Sequence, residues 1–187
     1  MNKTKRKIFE ASMKLFADKG YDATSIEEIT ATVGVAKGTL YYHFSSKEEI
    51  FNFLVDEGVK LLKNSISIKT EKLNNSLDKI RAIVLIQIKI LFKYENFMTI
   101  ILSQIWGNDE RSKLCKKYVF EYIQMIEEIV KEGIKKKEIV NKDPDVIASG
   151  IFGFTCSSFI YKMKHTEVDV QELFNEIDHL FIRKLKA

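Results

Sequence analysis

The chain has 187 residues, a formal net charge of +4, one proline, eight glycines and 45% hydrophobic residues. With so few helix breakers, the composition predicts a globular all-α protein, either one domain or a small domain joined to a larger one. The charge is uneven, because residues 1–47 hold eight Lys and Arg against five Asp and Glu, whereas residues 48–187 hold 22 against 21. This excess is too small to indicate a nucleic-acid partner by itself.

The sequence indicates no targeting signal, membrane span or disulfide. Residues 2–7 are polar and basic and lead into an amphipathic segment, so we expect a cytoplasmic protein. The most apolar stretches, 82–92 and 146–161, are shorter than the roughly 20 residues of a membrane span, so we expect no membrane. Cys115 and Cys156 lack CxxC spacing and are expected to be buried small side chains.

A first amphipathic helix is predicted over about residues 3–19. Its inward-facing positions recur at helical spacing, at Ile8, Ala11, Ser12 and Leu15. Gly20 follows directly and is the predicted left-handed C-cap, with Tyr21 supplying the hydrophobic contact that often accompanies such a cap.

Two short helices separated by a glycine are predicted next. Ser25 and Glu28 have capping-box spacing, with Thr24 as the alternative cap, and they open a helix of about two turns. That helix is expected to end at Gly34, and a third short helix is expected to begin near Ala36. The pattern is helix, glycine turn, helix.

The remaining chain is predicted to form a helical body. Ser46 and Glu49 repeat the capping-box spacing and open a fourth helix, whose apolar residues fall mainly on one side, at Ile50, Leu54, Leu61 and Leu62. The polar segment 64–75 is predicted to be a connection. Apolar periodicity predicts a long helix at about 77–91, and the apolar density continues to Trp106. Asp109 and Asp143-Pro144 are N-terminal signals for helices at 109–136 and 145–164, and a last helix is predicted at 169–185. About nine helices result.

The third helix carries side chains suited to DNA. Leu40 and Phe44 lie one turn apart and are expected to fix its inner side. Lysine and threonine reach base edges or phosphates, tyrosine hydroxyls donate to phosphates, and Gly38 lets the backbone approach a duplex. The residues turned outward are Lys37, Thr39, Tyr41, Tyr42 and His43. The alternative is that both tyrosines are packing aromatics and that the helix pair is an ordinary connection.

A nearly continuous series of motifs runs through the first quarter of the chain, at residues 16–21, 24–26, 33–44 and 46–48. Through these motifs, residues 6–51 resemble the DNA-binding domain of the TetR family of transcriptional regulators. The departures are Thr30, where alanine is usual, and Val33 and Ala36, where alanine and serine are common. Ala36 lacks a hydroxyl that could cap the helix or touch a phosphate.

The resemblance implies a helix-turn-helix regulator. It implies that the major groove is approached by Lys37, Thr39, Tyr41 and His43, and that the DNA backbone is held by Thr24, Ser25, Tyr42 and Lys47. We therefore divide the chain into a DNA-binding domain, 1–47, and an effector-binding and dimerisation domain, 48–187. The expected function is a ligand-released repressor that binds a palindromic operator in double-stranded DNA as a homodimer.

The last two predicted helices are candidates for the dimer interface. Residues 146–161 contain no charged side chain, and their apolar groups surround the helix, which predicts burial on every side. Ser149, Gly153 and Ser157 form a small-residue track that permits close helix approach. The final helix offers an apolar seam that includes Phe174, Ile177 and Phe181. A second copy of the chain is the expected partner, and burial within one chain is the alternative.

An aromatic-rich region is the candidate effector site, because TetR-like proteins carry an effector pocket in this part of the chain. The residues proposed are Tyr94, Phe97, Trp106, Tyr118, Tyr122 and Phe152. The alternative is that they are ordinary core. Glu95 is the single carboxylate between residues 80 and 108, which favours a small neutral or apolar effector over a cationic one.

Two other functions are alternatives. Glu176 and His179 have the Glu-x-x-His spacing of carboxylate-bridged metal enzymes, but a second such pair is missing. We therefore expect no metal, no other cofactor and no catalytic residues, and we interpret His179 as a helix-surface side chain. An architectural DNA-binding protein without an effector is the other alternative, and failure of every compound tested to release DNA would favour it.

Overall fold

The computed structural model describes residues 2–165 and 167–187. Within this part of the chain it contains nine α-helices and no β-strand, which confirms the all-α prediction. An isolated antiparallel bridge pairs Ile139 with Lys186. The helices are α1 (Lys3–Lys19), α2 (Ile26–Val33), α3 (Lys37–His43), α4 (Lys47–Thr70), α5 (Ser76–Lys93), α6 (Glu95–Gln104), α7 (Glu110–Lys135), α8 (Pro144–Lys164) and α9 (Val170–Leu180), and a 3-10 turn follows at Ile182–Leu185.

The helices form two compact units. The first comprises Met1–Lys60 with Tyr94–Lys117, and the second comprises Leu61–Lys93 with Tyr118–Ala187. Both α4 and α7 therefore contribute residues to each unit. The division into a DNA-binding domain, 1–47, and an effector-binding and dimerisation domain, 48–187, is a division by function and stays a prediction.

Local capping signals set the ends of the first helices. Ser25 accepts from the Glu28 amide and Glu28 accepts from the Ser25 amide, so the predicted capping box opens α2. Gly34 ends α2 in the left-handed conformation, with φ 73° and ψ 41°. Gly20 also has a positive φ of 84°, but its ψ of 162° lies outside the left-handed helical region that we predicted. Tyr21 packs on Phe16 as expected, with ring centroids 5.2 Å apart.

Apolar side chains from α1 to α4 and α6 form the core of the first unit. Leu40 and Phe44 are fully buried, as the sequence predicted, and they hold α3 by its inner side. Phe97 of α6 packs directly on α4 at Gly58, where an added Cβ would lie 2.2 Å from the Phe97 Cζ. The other large buried side chains here are Ile8, Ile29, Ile50, Phe51 and Leu54.

Helix α4 is longer than predicted. The polar segment 64–75 was expected to be a connection, but α4 continues to Thr70. Ile66 is 2% exposed and belongs to the core of the second unit, so the polar residues around it form the solvent face of a helix. Leu61, predicted on the inner side, is 42% exposed. Asn75 then caps α5 by accepting from the Leu77 amide at 2.9 Å.

The core of the second unit is built around α5, which packs against α8 and α9. Its buried members include Ile80, Ile83, Val84, Ile88, Ile126, Val130, Ala148 and Ile151. A hydrogen bond also lies within this core: the buried Tyr122 hydroxyl donates to the Gln87 side chain. Cys156 is half-buried and free, and burial raises the pKa of its thiol to about 11.

Helix α8 is only partly buried in the single chain, and the predicted burial on every side includes contact with a second copy of the chain. Asp143 caps it and Pro144 occupies its first turn, as predicted. In the single chain, however, Val146 is 67% exposed and Met163 is 65% exposed. The helix has 21 residues, longer than the uncharged stretch, and by length and composition alone it could cross a membrane, although 28% of its apolar 18-residue segment is buried. An apolar surface of this kind also suits contact with another protein.

Candidate nucleic-acid interface

The α2–α3 pair presents one polar, aromatic surface. Ala36 precedes α3 without any side-chain cap, and the short helix is held by Leu40 within its length and by Phe44 at its end. Tyr42 is 84% exposed and Tyr41 is 45% exposed, so these tyrosines are not packing aromatics of the chain as described. Such exposure leaves both hydroxyls accessible to phosphate oxygens.

Lys37 is held by a carboxylate from the neighbouring helix. Its Nζ pairs with the Glu27 Oε1, and both side chains are more than half exposed. The hydrogen bond from Lys37 lowers the pKa of Glu27 and raises that of Lys37, so the pair is charged at neutral pH. The Lys37 ammonium also lies 6.0 Å from the Tyr41 ring centroid. Sequence analysis did not identify Glu27 as a residue of this surface.

The other predicted residues of α3 lie along the same short helix. A Cβ added at Gly38 would meet nothing within 4 Å, so the backbone is openly accessible there. Thr39 and His43 are half-buried, and the His43 ring contacts the Tyr42 ring edge to face at 5.0 Å. The helix therefore offers backbone, hydroxyl, ammonium and imidazole groups over two turns.

Thr24 is placed differently from the prediction. Its side chain is 1% exposed, and its hydroxyl donates to the Gly20 carbonyl at 2.8 Å. The hydroxyl satisfies a carbonyl at the end of α1, which removes it from the surface. Ser25 is half-buried, and its Oγ accepts from the Glu28 amide at 3.1 Å.

Lys47 bonds to the loop between α1 and α2. Its Nζ donates to the carbonyls of Tyr21 and Thr24, each at 2.8 Å, and lies 4.3 Å from the Tyr21 ring centroid. The predicted capping box at the start of α4 is incomplete: Ser46 accepts from the Glu49 amide, but Glu49 accepts from Ser45.

Arg111, at the start of α7, also reaches this loop. Its guanidinium carbon lies 4.0 Å from the Tyr21 ring centroid, and its Nη2 pairs with Asp22 at 3.3 Å. Sequence reasoning missed this contact, because 90 positions separate the two residues and no local pattern connects them.

The six predicted effector residues are divided between the two units. In the first, Tyr94 is half-buried, Phe97 is buried against Gly58, and Trp106 is 85% exposed. In the second, Tyr118 and Phe152 are half-buried and Tyr122 is buried. Tyr122 and Phe152 are in contact, with ring centroids 6.1 Å apart, and burial raises the pKa of Tyr122.

The predicted interface residues of α8 and α9 fall into two groups. Ser149, Gly153 and Ser157 lie on an exposed face of α8, and Phe181 is 39% exposed and stacks on Phe154. Ile177 is instead buried in the core of its own chain, with Phe174 half-buried against that core. Beside them lies an apolar groove of about 250 Å³ lined by Val84, Val146, Ile147, Gly150, Ile151, Phe154, Ile177, Leu180, Phe181, Ile182, Lys184 and Leu185.

Comparison with known sequences matches the N-terminal part of the chain. Residues 8–53 match the model of bacterial regulatory proteins of the tetR family. The biofilm operon icaADBC HTH-type negative transcriptional regulator IcaR of Staphylococcus aureus is 39% identical over 74 residues, which span 40% of each protein. The HTH-type transcriptional regulator YerO of Bacillus subtilis is 48% identical over 50 residues, 27% of this chain and 17% of YerO.

Comparison with solved structures extends over nearly the whole chain. A candidate fatty acid metabolism regulator from Clostridium perfringens has a TM-score of 0.89 and 32% identity, covering 97% of this chain and 99% of that one. AibR in complex with isovaleryl coenzyme A and operator DNA has a TM-score of 0.82 at 20% identity, covering 96% and 99%, and supports the fold. The chain belongs to the TetR family and is a DNA-binding transcriptional regulator.

Proposed function

We propose that the protein is a ligand-released repressor that binds a palindromic operator as a homodimer. The observation that carries this proposal is the exposed face of α3, where Lys37, Tyr41 and Tyr42 stand outward from a helix held by Leu40 and Phe44. Repression is favoured because IcaR, 39% identical over 74 residues, is a negative regulator.

In this proposal α3 enters the major groove. Lys37, Thr39, Tyr41 and His43 approach base edges, and Gly38 lets the backbone come close. Ser25, Tyr42 and Lys47 hold the DNA backbone. Thr24 acts indirectly, because its buried hydroxyl fixes the end of α1. Residues 1–47 form the DNA-binding domain, and 48–187 bind the effector and the second protomer, in the cytoplasm where operator DNA lies.

A second copy of the chain is the proposed partner of α8 and α9. The exposed small-residue track lets a partner helix approach closely, and large apolar side chains beside it stand in water in the single chain, at Val146, Ile160, Tyr161, Met163 and Leu180. A two-fold dimer would place two α3 helices at a fixed spacing for a symmetric site. Light scattering giving a mass near 21.7 kDa at micromolar concentration would contradict this.

The proposed effector is a small molecule with an apolar acyl group. The second unit supports an apolar ligand, since Tyr122, Phe152 and the surrounding aliphatic residues offer an apolar environment with one polar pair at Gln87. The similar Clostridium perfringens protein is described as a regulator of fatty acid metabolism, and the structure of AibR contains isovaleryl coenzyme A, an acyl coenzyme A. Release of operator DNA by fatty acids or acyl thioesters, but not by the cation choline, is expected.

The central experiment is selection of binding sites from random double-stranded DNA. We expect enrichment of a palindrome whose half-sites lie about one helical turn, or a multiple of it, apart. Its affinity should fall linearly with salt on a double-logarithmic plot. A pool without enrichment, or a single asymmetric site, would contradict the proposed operator binding.

A further inference from the structure

Two cations from different helices lie over the ring of Tyr21. Lys47 Nζ, at the start of α4, is 4.3 Å from the ring centroid, and the Arg111 guanidinium carbon, at the start of α7, is 4.0 Å from it. Arg111 also pairs with Asp22, the next residue of the loop. The loop between α1 and α2 is therefore held from two separate helices, and all of these residues belong to the first unit.

The Arg111 side chain is mostly buried in this contact. It is 20% exposed, and its Nε is buried without a hydrogen-bond acceptor among the described residues. Its guanidinium pairs with Asp109, the residue that caps α7 by accepting from the Ser112 amide at 2.8 Å. A partly desolvated guanidinium over an aromatic ring interacts more strongly than an exposed one. The contact thus fixes the start of α7 against Tyr21.

The loop that Arg111 holds determines where α2 begins. Its carbonyls at Tyr21 and Thr24 accept from Lys47, and Ser25, at its end, caps α2. Helix α3 follows α2 after a single glycine turn and packs against it. A displacement of the loop would therefore move α3, the proposed recognition helix.

We propose that Arg111 is a positioning residue for operator binding, acting through Tyr21 and Asp22 on the α2–α3 pair, about seventy residues beyond the recognition helix. This rests on the operator binding proposed above. Helix α7 is continuous from Glu110 to Lys135 and carries Tyr122 of the second unit's core. An effector that displaces α7 would act on the Arg111 contact and thereby lower operator affinity.

The test compares two variants that each remove one positive charge from the first turns of α7. Arg111→Met removes the contact with Tyr21, whereas Lys113→Met removes an exposed lysine paired with Glu110. Arg111→Met is expected to weaken operator binding about tenfold, with Lys113→Met within about twofold of the wild type. The salt dependence of the operator affinity should be unchanged in Arg111→Met, because a positioning residue contacts no phosphate.

Arg111→Lys, which keeps the charge but loses the planar stacking, should bind with intermediate affinity and guards against a folding defect in the methionine variant. Circular dichroism establishes that each variant is folded. Equal affinities of the two methionine variants would overturn the proposal, and so would a reduced salt slope in Arg111→Met, because that slope indicates direct phosphate contact.

Hydrogen exchange gives a readout independent of DNA. Amides of residues 21–25 should exchange faster in Arg111→Met than in Lys113→Met, and equal protection would overturn the proposal. If the wild type selects no operator, the proposed function fails, while this measurement still decides whether Arg111 fixes the loop.

Discussion

The Glu27 carboxylate accepts a hydrogen bond from the Lys37 ammonium across the turn between α2 and α3. The positive charge of the lysine proposed to enter the major groove is thus compensated by a neighbouring carboxylate in the free protein. In the proposed complex, a contact from Lys37 to DNA competes with this pair and brings the Glu27 carboxylate close to phosphates. Glu27 therefore opposes binding to any duplex, and it does so most where Lys37 finds no base partner.

Glu27→Gln should raise affinity for non-operator DNA about threefold, because the competing carboxylate is lost. Discrimination between operator and random duplex should fall. The control is Glu128→Gln, which removes the same charge from an exposed pair with Lys131 in the second unit. Fluorescence anisotropy with both duplexes measures the effect, and equal affinities of the two variants would contradict it.

Lys37→Ala should weaken operator binding about tenfold, the loss typical of one specific base contact. Tyr42→Phe should weaken it less, since a single neutral hydrogen bond to phosphate is lost. Both substitutions alter exposed side chains, so thermal unfolding should hardly change. If operator affinity survives both changes, the assignment of this face of α3 to the groove is wrong.

Two glycine substitutions should separate binding from stability. Gly38→Ala places a methyl group in open space on α3, so it should preserve or raise stability and reduce operator affinity. Gly58→Ala forces a Cβ against Phe97 and should lower the free energy of unfolding by about 1–3 kcal/mol. Urea denaturation measures the stability of each variant, and fluorescence anisotropy measures its operator affinity. A Gly38→Ala variant with normal affinity would show that operator binding does not require a close approach of the backbone at this position.

The buried Tyr122–Gln87 hydrogen bond should contribute measurably to the free energy of unfolding. Tyr122→Phe leaves the Gln87 carbonyl without this donor and should cost about 1–3 kcal/mol of unfolding free energy. A second change, Gln87→Leu, removes the abandoned group and should recover part of the loss. Chemical denaturation of the single and double variants measures this, and additive losses would show that the pair is not coupled.

Substitution on the exposed face of α8 should test the proposed dimer. Gly153→Leu adds a large side chain where a Cβ now meets nothing within 4 Å, so a folded monomer should tolerate it. Across a close helix contact the same side chain would clash and dissociate the protomers. Sedimentation should then give a lower mass than for the wild type, and an unchanged mass would place the interface elsewhere.

Local signals were enough to predict much of the fold. Ser25 with Glu28, Gly34, and Asp143 with Pro144 each act within a few residues, and the structure has helix ends at all of these places. The prediction of a connection after Asn64 was wrong, because Ile66 is the single buried residue from Asn64 to Thr70 and this one core contact accompanies two further helical turns.

Contacts between distant residues could not be predicted in this way. The outward face of α3 follows from helical spacing around Leu40, but the burial of the Thr24 hydroxyl depends on where the carbonyls of α1 end. The position of Arg111 over Tyr21 depends on α6 and α7 returning to the N-terminal helices, which no sequence period encodes. The residues predicted to bind an effector are divided between two units for the same reason.

The apolar face of α8 has a consequence for gene dosage. If the protein is the proposed dimer, it dissociates at low concentration, which exposes Val146 and Met163 to water. The dissociated chain then lacks the part of the folding free energy that dimerisation contributes. The melting temperature should then rise with protein concentration. Occupancy of a symmetric operator would grow more steeply than in proportion to the number of chains, so that a twofold change in expression could switch a promoter that a monomeric regulator would only adjust.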